Sequence, residues 1–378
     1  MKVSVVVCTY SMERYDVFSA CVESVLAQTH APLEVVLVVD GNEHMFERVR
    51  EDFADRAAAG DAEDSVEVRV DDVGDAQGDA ESDDVDYVDR GDNSRAPALG
   101  TNGSAVAADA DRGTVEEIVL HCNDENRGIS YSRTEGAKLA SGEVVAFIDD
   151  DAIAEPDWIE QLVAVYKETD AIAVGGHVAA DWVTEKPDFF PEEFYWLVGC
   201  DERGFGEHME ELRNTYGSNI SFRREVFLSV GGYDENTGRQ GDRHVQAHEA
   251  PVCIRMADKY GKGVIYTTDA VVHHQLFDYR GEFRWLVFRS FWQGYSKRIM
   301  DILLPEAKGD KNDYLGQLMG TFVPSRVKAL IRQPSIAKVQ QLVAIFVFTA
   351  AVGFGYLYGL VNVDRSRLAA QRDVAASK

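Results

Sequence analysis

Four runs of β-branched and aliphatic residues restrict this chain more than any other feature: VSVVV (3–7), LEVVLVV (33–39), VEEIVLH (115–121) and EVVAFID (143–149). They are nearly continuous rather than alternating, so a strand built from any of them must be covered on both faces. Between the first two runs, Phe18, Cys21, Val22, Val25 and Leu26 recur at helical spacing and form one apolar stripe. Strand, helix and strand in repetition predict an open α/β sheet with its strands largely parallel. The 378 residues, 45% of them apolar, supply a core for one such domain over 1–278 and a C-terminal addition.

Two segments break the pattern. Residues 55–112 hold 17 Asp or Glu against 5 Arg and few large apolar side chains. Such a stretch buries too little surface to offset its ordering entropy, which predicts a disordered acidic insert carrying no chemistry. Within it VEVRV (66–70) has the pattern of a short strand. The other segment is LVAIFVFTAAVGFGYLYGLV (342–361), 20 residues without a charge. As a helix it is about 30 Å long, the thickness of a bilayer core, which predicts one transmembrane helix followed by a short polar tail, 362–378. Upstream, 279–341 includes FRWLVFRSFWQGYSKRIMDILL, whose mixture of aromatic, aliphatic and basic residues predicts amphipathic helices on a membrane surface. Basic residues flank the span on both sides, so charge counting does not orient it.

The net charge of −27 argues against nucleic acid as a partner and matches the carboxylate-rich surface of a protein working in concentrated salt. The five cysteines are scattered, with no C-x-x-C pair, which predicts reduced thiols rather than a disulfide framework or zinc site. The opening MKVSVVVCTYS is apolar only over strand length, unlike a signal peptide.

The candidate chemistry lies where strands end. VVAFIDDDA runs from a buried strand into Asp149, Asp150 and Asp151. In open α/β sheets ligands bind beyond the carboxyl ends of the strands. Thr9 and Tyr10, Asp40, and NDENRGISYSR stand at the ends of the other three runs. Adjacent carboxylates repel, and a hard divalent cation, Mg2+ or Mn2+, between them and a diphosphate relieves that repulsion. This predicts metal-assisted nucleotide chemistry.

VSVVVCTYSMERY, LEVVLVVDG, NDENRGISYSRTEGAKLASGEVVAFIDDDA and GSNISFRREVFLSVGGYDE together resemble the inverting family 2 glycosyltransferases of GT-A fold, an open mixed sheet. The resemblance implies that Thr9, Tyr10 and Glu13 lie along a UDP-sugar, that Asp40 accepts from the uracil edge, and that Asn126, Gly128 and Arg133 approach the diphosphate. Asp149 and Asp151 match the D-x-D metal signature, with Asp149 also near the ribose and Asp150 between them at the nucleotide. Turn formation by Asn126 and Gly128, and capping by Thr9, remain alternatives. For the base that takes the acceptor's proton, the family's acidic pair aligns with QAHEAPVCIRM, so Glu249 is the expected base, with His248 and Asp242 as lesser candidates. In DAVVHHQ, His274 rather than His273 aligns with a further metal contact. Trp182, Phe194, Tyr195 and Trp196 offer faces for an acceptor sugar, although core packing explains them as well.

Within the family, the C-terminal third resembles archaeal enzymes that build dolichyl-phosphate-linked glycans for protein N-glycosylation, and among them the glucuronosyltransferases. This implies a UDP-glucuronic acid donor, a dolichyl-phosphate-linked hexose acceptor and a single-pass protein with its catalytic domain on the cytoplasmic face. It also implies association with other enzymes of that pathway. A hexosyltransferase loading the first sugar onto dolichyl phosphate, and a non-catalytic sugar-nucleotide-binding scaffold, are the alternatives.

Overall fold

The computed structural model describes residues 1–54, 66–71, 115–234, 249–303 and 311–363. The four apolar runs become β1 (Val3–Thr9), β2 (Leu33–Asp40), β4 (Val115–Asn123) and β5 (Val144–Asp149), mutually parallel at the centre of one ten-stranded sheet. Every residue of β1 and β2 is buried, which is what a continuous apolar run requires. Helix α1 (Tyr15–Leu26) links β1 to β2 and buries Phe18, Cys21, Val22 and Val25. Helix α2 (Glu43–Val49) follows β2.

One part of the acidic insert joins the sheet. Residues Glu67–Asp71 form β3, parallel to β4 at the sheet edge, with Val68 packed against the core and Val70 left exposed, as an edge strand allows. The rest of 55–112 lies outside the described residues.

Beyond β5 the sheet becomes mixed. Strands β6 (Ala152–Ala154), β7 (Ala173–Trp182), β8 (Glu211–Leu212), β9 (Ile220–Arg223) and β10 (Val264–Leu276) complete it. The order is β3-β4-β2-β1-β5-β9-β7-β10-β6, with β8 against β10. Strand β9 is antiparallel to both neighbours, whereas β10 is parallel to β7. Helices α3 (Ile129–Leu139), α4 (Trp158–Glu168), α5 (Arg224–Ser229) and α6 (Glu249–Tyr260) cover the two faces. Alternate residues of β1 divide between two cores: Val3, Val5 and Val7 pack with α1 and α4, Val6 and Cys8 with the side chains of α3, α5 and α6. Trp158 is fully buried, and its indole Nε1 donates to Asn219 Oδ1 at 2.8 Å.

The C-terminal addition comprises α7 (Phe283–Leu303), α8 (Lys311–Gln317), α9 (Val323–Arg332) and α10 (Ile336–Asn362). Among the described residues α10 alone is long and apolar enough to cross a membrane. Helix α7, within the stretch expected to form membrane-surface helices, packs along α10. Glycines allow that approach: a Cβ on Gly355 would stand 1.8 Å from the Phe291 carbonyl oxygen. Ala344, Ile345 and Phe348 of α10 join the same core as Phe190 and Phe194, so the addition is continuous with the α/β domain. Residues 364–378, expected as a polar tail, lie outside the described residues.

Candidate active site

Each strand run delivers its last polar residue to one edge of the sheet. Parallel register places Thr9 beside Val39, and Cys8 beside Asp149, so the ends of β2, β1 and β5 form one rim. Asp40, 5% exposed, accepts from the backbone N–H of Arg127 at 3.0 Å and of Gly128 at 2.7 Å, and from Asn123 Nδ2 at 2.7 Å. Both its oxygens are therefore engaged by the chain, and Asp40 fastens the 124–128 loop across the rim. Gly128, at φ 87, stands in a conformation that a side chain would strain, and it begins α3. Asn126 and Glu13 are exposed, and Tyr10, 44% exposed, presents its ring to solvent while its carbonyl accepts from Asn42.

Helix α3 carries Arg133 into the centre, where it is 3% exposed. Its Nη2 donates to Asp149 Oδ1 and, at 3.1 Å, to the Gly217 carbonyl, while Nη1 lies 3.6 Å from Glu249 Oε1. One guanidinium thus joins the first carboxylate of the D-x-D signature to the expected base. Glu249 is the first residue of α6, and burial raises its carboxyl above the ordinary value against the pull of Arg133. A carboxylate with raised proton affinity suits a general base. His248 and Asp242, the lesser candidates, lie outside the described residues.

The three aspartates differ in their surroundings. Thr9 Oγ1 donates to Asp150 Oδ2 at 3.2 Å, and Arg14 Nη2 pairs with Asp150 Oδ1 at 2.8 Å. Burial raises the Asp150 carboxyl and Arg14 opposes it; with Asp151 and Asp149 adding repulsion, it is pushed up to about 6. Asp151 is the most enclosed: Arg14 Nη2 lies at 2.9 Å, Arg280 Nη2 at 2.8 Å and His274 Nε2 at 3.2 Å. Burial acts to raise its carboxyl, but His274, Arg280 and Arg14 outweigh this and hold it well below the usual carboxylate range.

The strand alternation of β10 separates the two histidines. His274, opposite Ala152, faces Asp151, while His273 pairs with Glu155 at 2.6 Å on the other side. Nδ1 of His274 reaches the Gly199 carbonyl at 3.4 Å, and Nε2 stands 2.7 Å from Arg280 Nη1. Burial lowers the His274 imidazole, but the Asp151 carboxylate outweighs it and raises the ring to about 10, so the protonated Nε2 donates to Asp151.

Carboxylate repulsion at this rim is therefore relieved in part by the chain's own cations, Arg14 and Arg280, which the sequence reading did not include. Among the described residues no three His, Cys, Asp or Glu side chains form a preformed metal cage. The donors nevertheless suit a hard divalent cation in kind. Only Oδ1 of Asp149 is engaged among the described residues, its side chain is 33% exposed, and Asp151 with His274 Nε2 supplies further donors. Arg14 and Arg280 escaped the sequence reading. Their only sequence signal is position: Arg14 just beyond Thr9 and Arg280 just beyond His274, both at ends of strands.

The aromatic residues considered for an acceptor sugar are divided. Phe194 is buried against Trp196 and Phe348, with ring centroids 5.6 and 5.4 Å away, so it serves the core. Trp182, Tyr195 and Trp196 remain partly exposed.

Known proteins share these features. The model of the Glycosyl transferase family 2 matches residues 112–231, which contain the 124–128 loop, Arg133 and the three aspartates. The glucosyl-dolichyl phosphate glucuronosyltransferase of Haloferax volcanii is 60% identical over 363 residues, 96% of this chain and 97% of that protein. The succinoglycan biosynthesis protein ExoM of Rhizobium meliloti is 25% identical over 179 residues, 47% of this chain and 53% of that protein. Among solved structures, mannosyltransferase PcManGT from Pyrobaculum calidifontis in complex with GDP-Man and Mn2+ superposes with a TM-score of 0.47 at 14% identity, covering 93% of this chain and 87% of that one. By the family model and by 60% identity across nearly the whole of both chains, the chain belongs to glycosyltransferase family 2.

Proposed function

We propose that the chain transfers glucuronic acid from UDP-glucuronic acid, with inversion, onto a dolichyl-phosphate-linked hexose in the assembly of glycans for protein N-glycosylation. The supporting observation is the 60% identity to a glucosyl-dolichyl phosphate glucuronosyltransferase across 97% of that relative. Thr9, Tyr10, Glu13 and Asp40 line the uridine side of the rim in this reading. Asn126, Gly128 and Arg133 approach the diphosphate, and Asp150 lies at the nucleotide.

In the reaction, an acceptor hydroxyl attacks the anomeric carbon, the bond from that carbon to the diphosphate oxygen breaks, and Glu249 takes the hydroxyl proton. Arg133 orients Glu249 through the contact at 3.6 Å and, by its charge, keeps the carboxylate ionised often enough to accept that proton. Mg2+ or Mn2+, held by Asp149 and Asp151 with His274, would neutralise the departing diphosphate. Arg14 and Arg280 balance the Asp150 and Asp151 charges in the absence of substrate and stand ready to face phosphate oxygens.

An acceptor carried on a lipid cannot leave the bilayer, and α10 supplies the matching membrane anchor, with the catalytic domain on the cytoplasmic face where the nucleotide sugar is available. The test is a donor screen with membranes containing dolichyl-phosphate-linked glucose, read by the mass of the lipid product. A gain of a hexuronic acid that is lost in Glu249→Gln, while UDP binding persists, supports the reading. A gain of a neutral hexose overturns the donor assignment, and UDP binding without transfer to any polyprenyl acceptor favours a scaffold.

A further inference from the structure

The C-terminal addition carries apolar surface and unpaired positive charge that the active site does not use. Helix α10 has two faces. Ala344, Ile345, Phe348, Ala351, Gly355 and Gly359 are buried on one. Val343, Phe346, Phe354, Leu357 and Val361, between 48% and 85% exposed, form the other.

The buried face is covered by protein along its length. Phe348 packs on Phe190, Phe194 and Phe283, with centroids 6.2, 5.4 and 5.7 Å away, and Gln341 Nε2 donates to the Asp188 carbonyl at 2.8 Å. Farther along, Gly355 and Gly359 lie against Phe291 and Arg298 of α7. Helix α7 in turn stays on the catalytic domain, through Arg289 Nε to the Leu197 carbonyl at 3.1 Å and Lys297 over the Trp196 ring at 5.5 Å.

A crossing helix needs about 20 residues in hydrocarbon. Past Phe348 only residues 349–362 of α10 remain, about 21 Å of helix. Drawing the whole of α10 through a bilayer would carry Lys297, Arg298 and Asp301 of α7 with it, placing charges near the bilayer centre. The charge-free run 342–361 therefore fits one leaflet better than two.

Helix α9, just before α10, adds the positive charge. Val327 and Ile331 are exposed, and Lys328 and Arg332 stand four residues apart, a spacing at which like charges repel. Among the described residues neither has a carboxylate partner, although the chain holds 65 Asp and Glu against 38 Lys and Arg. Lys338 is fixed beside them by the carbonyls of Ala329 and Gln333, at 3.4 and 2.8 Å. The three cations line a groove of about 440 Å³, next to an apolar groove of about 520 Å³ that Val327 and Ile331 help to form. Charge at the α9 C-terminus accounts for Arg332 and Lys338, but not for Lys328 in mid-helix.

We infer that α9 and α10 form a one-sided docking face for an anionic bilayer: the exposed stripe of α10 enters one leaflet, and Lys328, Arg332 and Lys338 take headgroup phosphates. The inference rests on the membrane-bound reading above and replaces a crossing helix with a monotopic anchor. Charge complementarity sets the orientation, since a chain of net charge −27 is repelled from an anionic surface everywhere but at such a patch. In molar salt the Debye length falls to about 3 Å, so only contact pairs survive, and a groove supplies contact pairs.

The test uses the full chain with a protease site and tag added after Lys378, in sealed vesicles with the catalytic domain outward. Flotation with the vesicles reports membrane binding, the reading on which the inference rests. Added protease should release the tag from intact vesicles; a tag protected until detergent is added overturns the inference while leaving the membrane reading intact. In the second arm, the purified chain is offered phosphatidylglycerol or phosphatidylcholine vesicles. The wild type should prefer the anionic vesicles at least fivefold, and Lys328→Gln/Arg332→Gln should lose that preference while keeping transferase activity in detergent. Equal binding of the wild type to both, or an unchanged preference in the variant, overturns the headgroup assignment.

Discussion

Arg133 holds Asp149, Glu249 and the Gly217 carbonyl at once, so replacing it separates a charge effect from a geometric one. In Arg133→Met the side-chain volume is nearly kept but the cation is gone. Removing one partner of a buried ion pair costs about 3–5 kcal/mol, so the melting temperature should fall clearly while the fold persists. The kinetic effect is more specific. At the 3.6 Å separation from Glu249, the Coulomb attraction is about 1 kcal/mol at the dielectric constant of water and about 5 kcal/mol at an effective value of 20. Losing it raises the proton affinity of Glu249, which burial already raises. Since about 1.4 kcal/mol corresponds to one pH unit, the acid limb of the rate profile should move up by roughly one unit or more. Arg133→Lys keeps the charge but cannot make the fork; its acid limb should stay near that of the wild type while kcat falls about tenfold to a hundredfold from lost orientation. The assay is transfer to a lipid-linked acceptor between pH 5 and 9, with UDP affinity by calorimetry as the control. An Arg133→Met enzyme that binds UDP and keeps the wild-type acid limb would refute the pairing of Arg133 with the base.

Two further outcomes follow from buried carboxylates away from the D-x-D rim. Burial pushes the Glu202 carboxyl up to about 7, partly opposed by the Tyr216 hydroxyl that donates to it at 2.8 Å. The folded state then binds the proton more tightly than the unfolded one, so this contribution to stability is complete below about pH 4.5 and is lost as pH rises through about 7. Glu202→Gln should melt with the wild type near pH 4.5 and exceed it at pH 8 by on the order of 3 kcal/mol; equal melting at both pH values contradicts the assignment. Glu193 is fully buried and meets Arg326 of α9 through paired bonds of 3.0 and 2.6 Å, so Arg326→Ala should lower stability by about 3–5 kcal/mol, and a loss under 1 kcal/mol in denaturant unfolding would contradict that pairing.

Much of the site was legible in the chain because its residues stand at the ends of strands that announce themselves. Thr9, Asp40 and Asp149 each close an apolar run, and parallel pairing brings such ends together. His274 rather than His273 faces Asp151, and strand alternation is the reason. The charge balance was not legible. Expectation placed a metal ion between the carboxylates; the structure adds Arg14 and Arg280, which lie far apart in the chain and meet at Asp151.

By itself the amino-acid order determined the covered parallel sheet, since burial of both strand faces is written into each run of apolar residues, and it determined that a long apolar helix closes the described chain. Tertiary structure decided how charges and helices pair. Arg133 reaches Glu249 only because α3 and α6 converge beneath the rim, and α10 acquires one open and one protein-facing side only because α7 lies against its glycines. Local patterns encode which surfaces must be hidden; which partner hides or neutralises them depends on contacts between residues far apart in the chain.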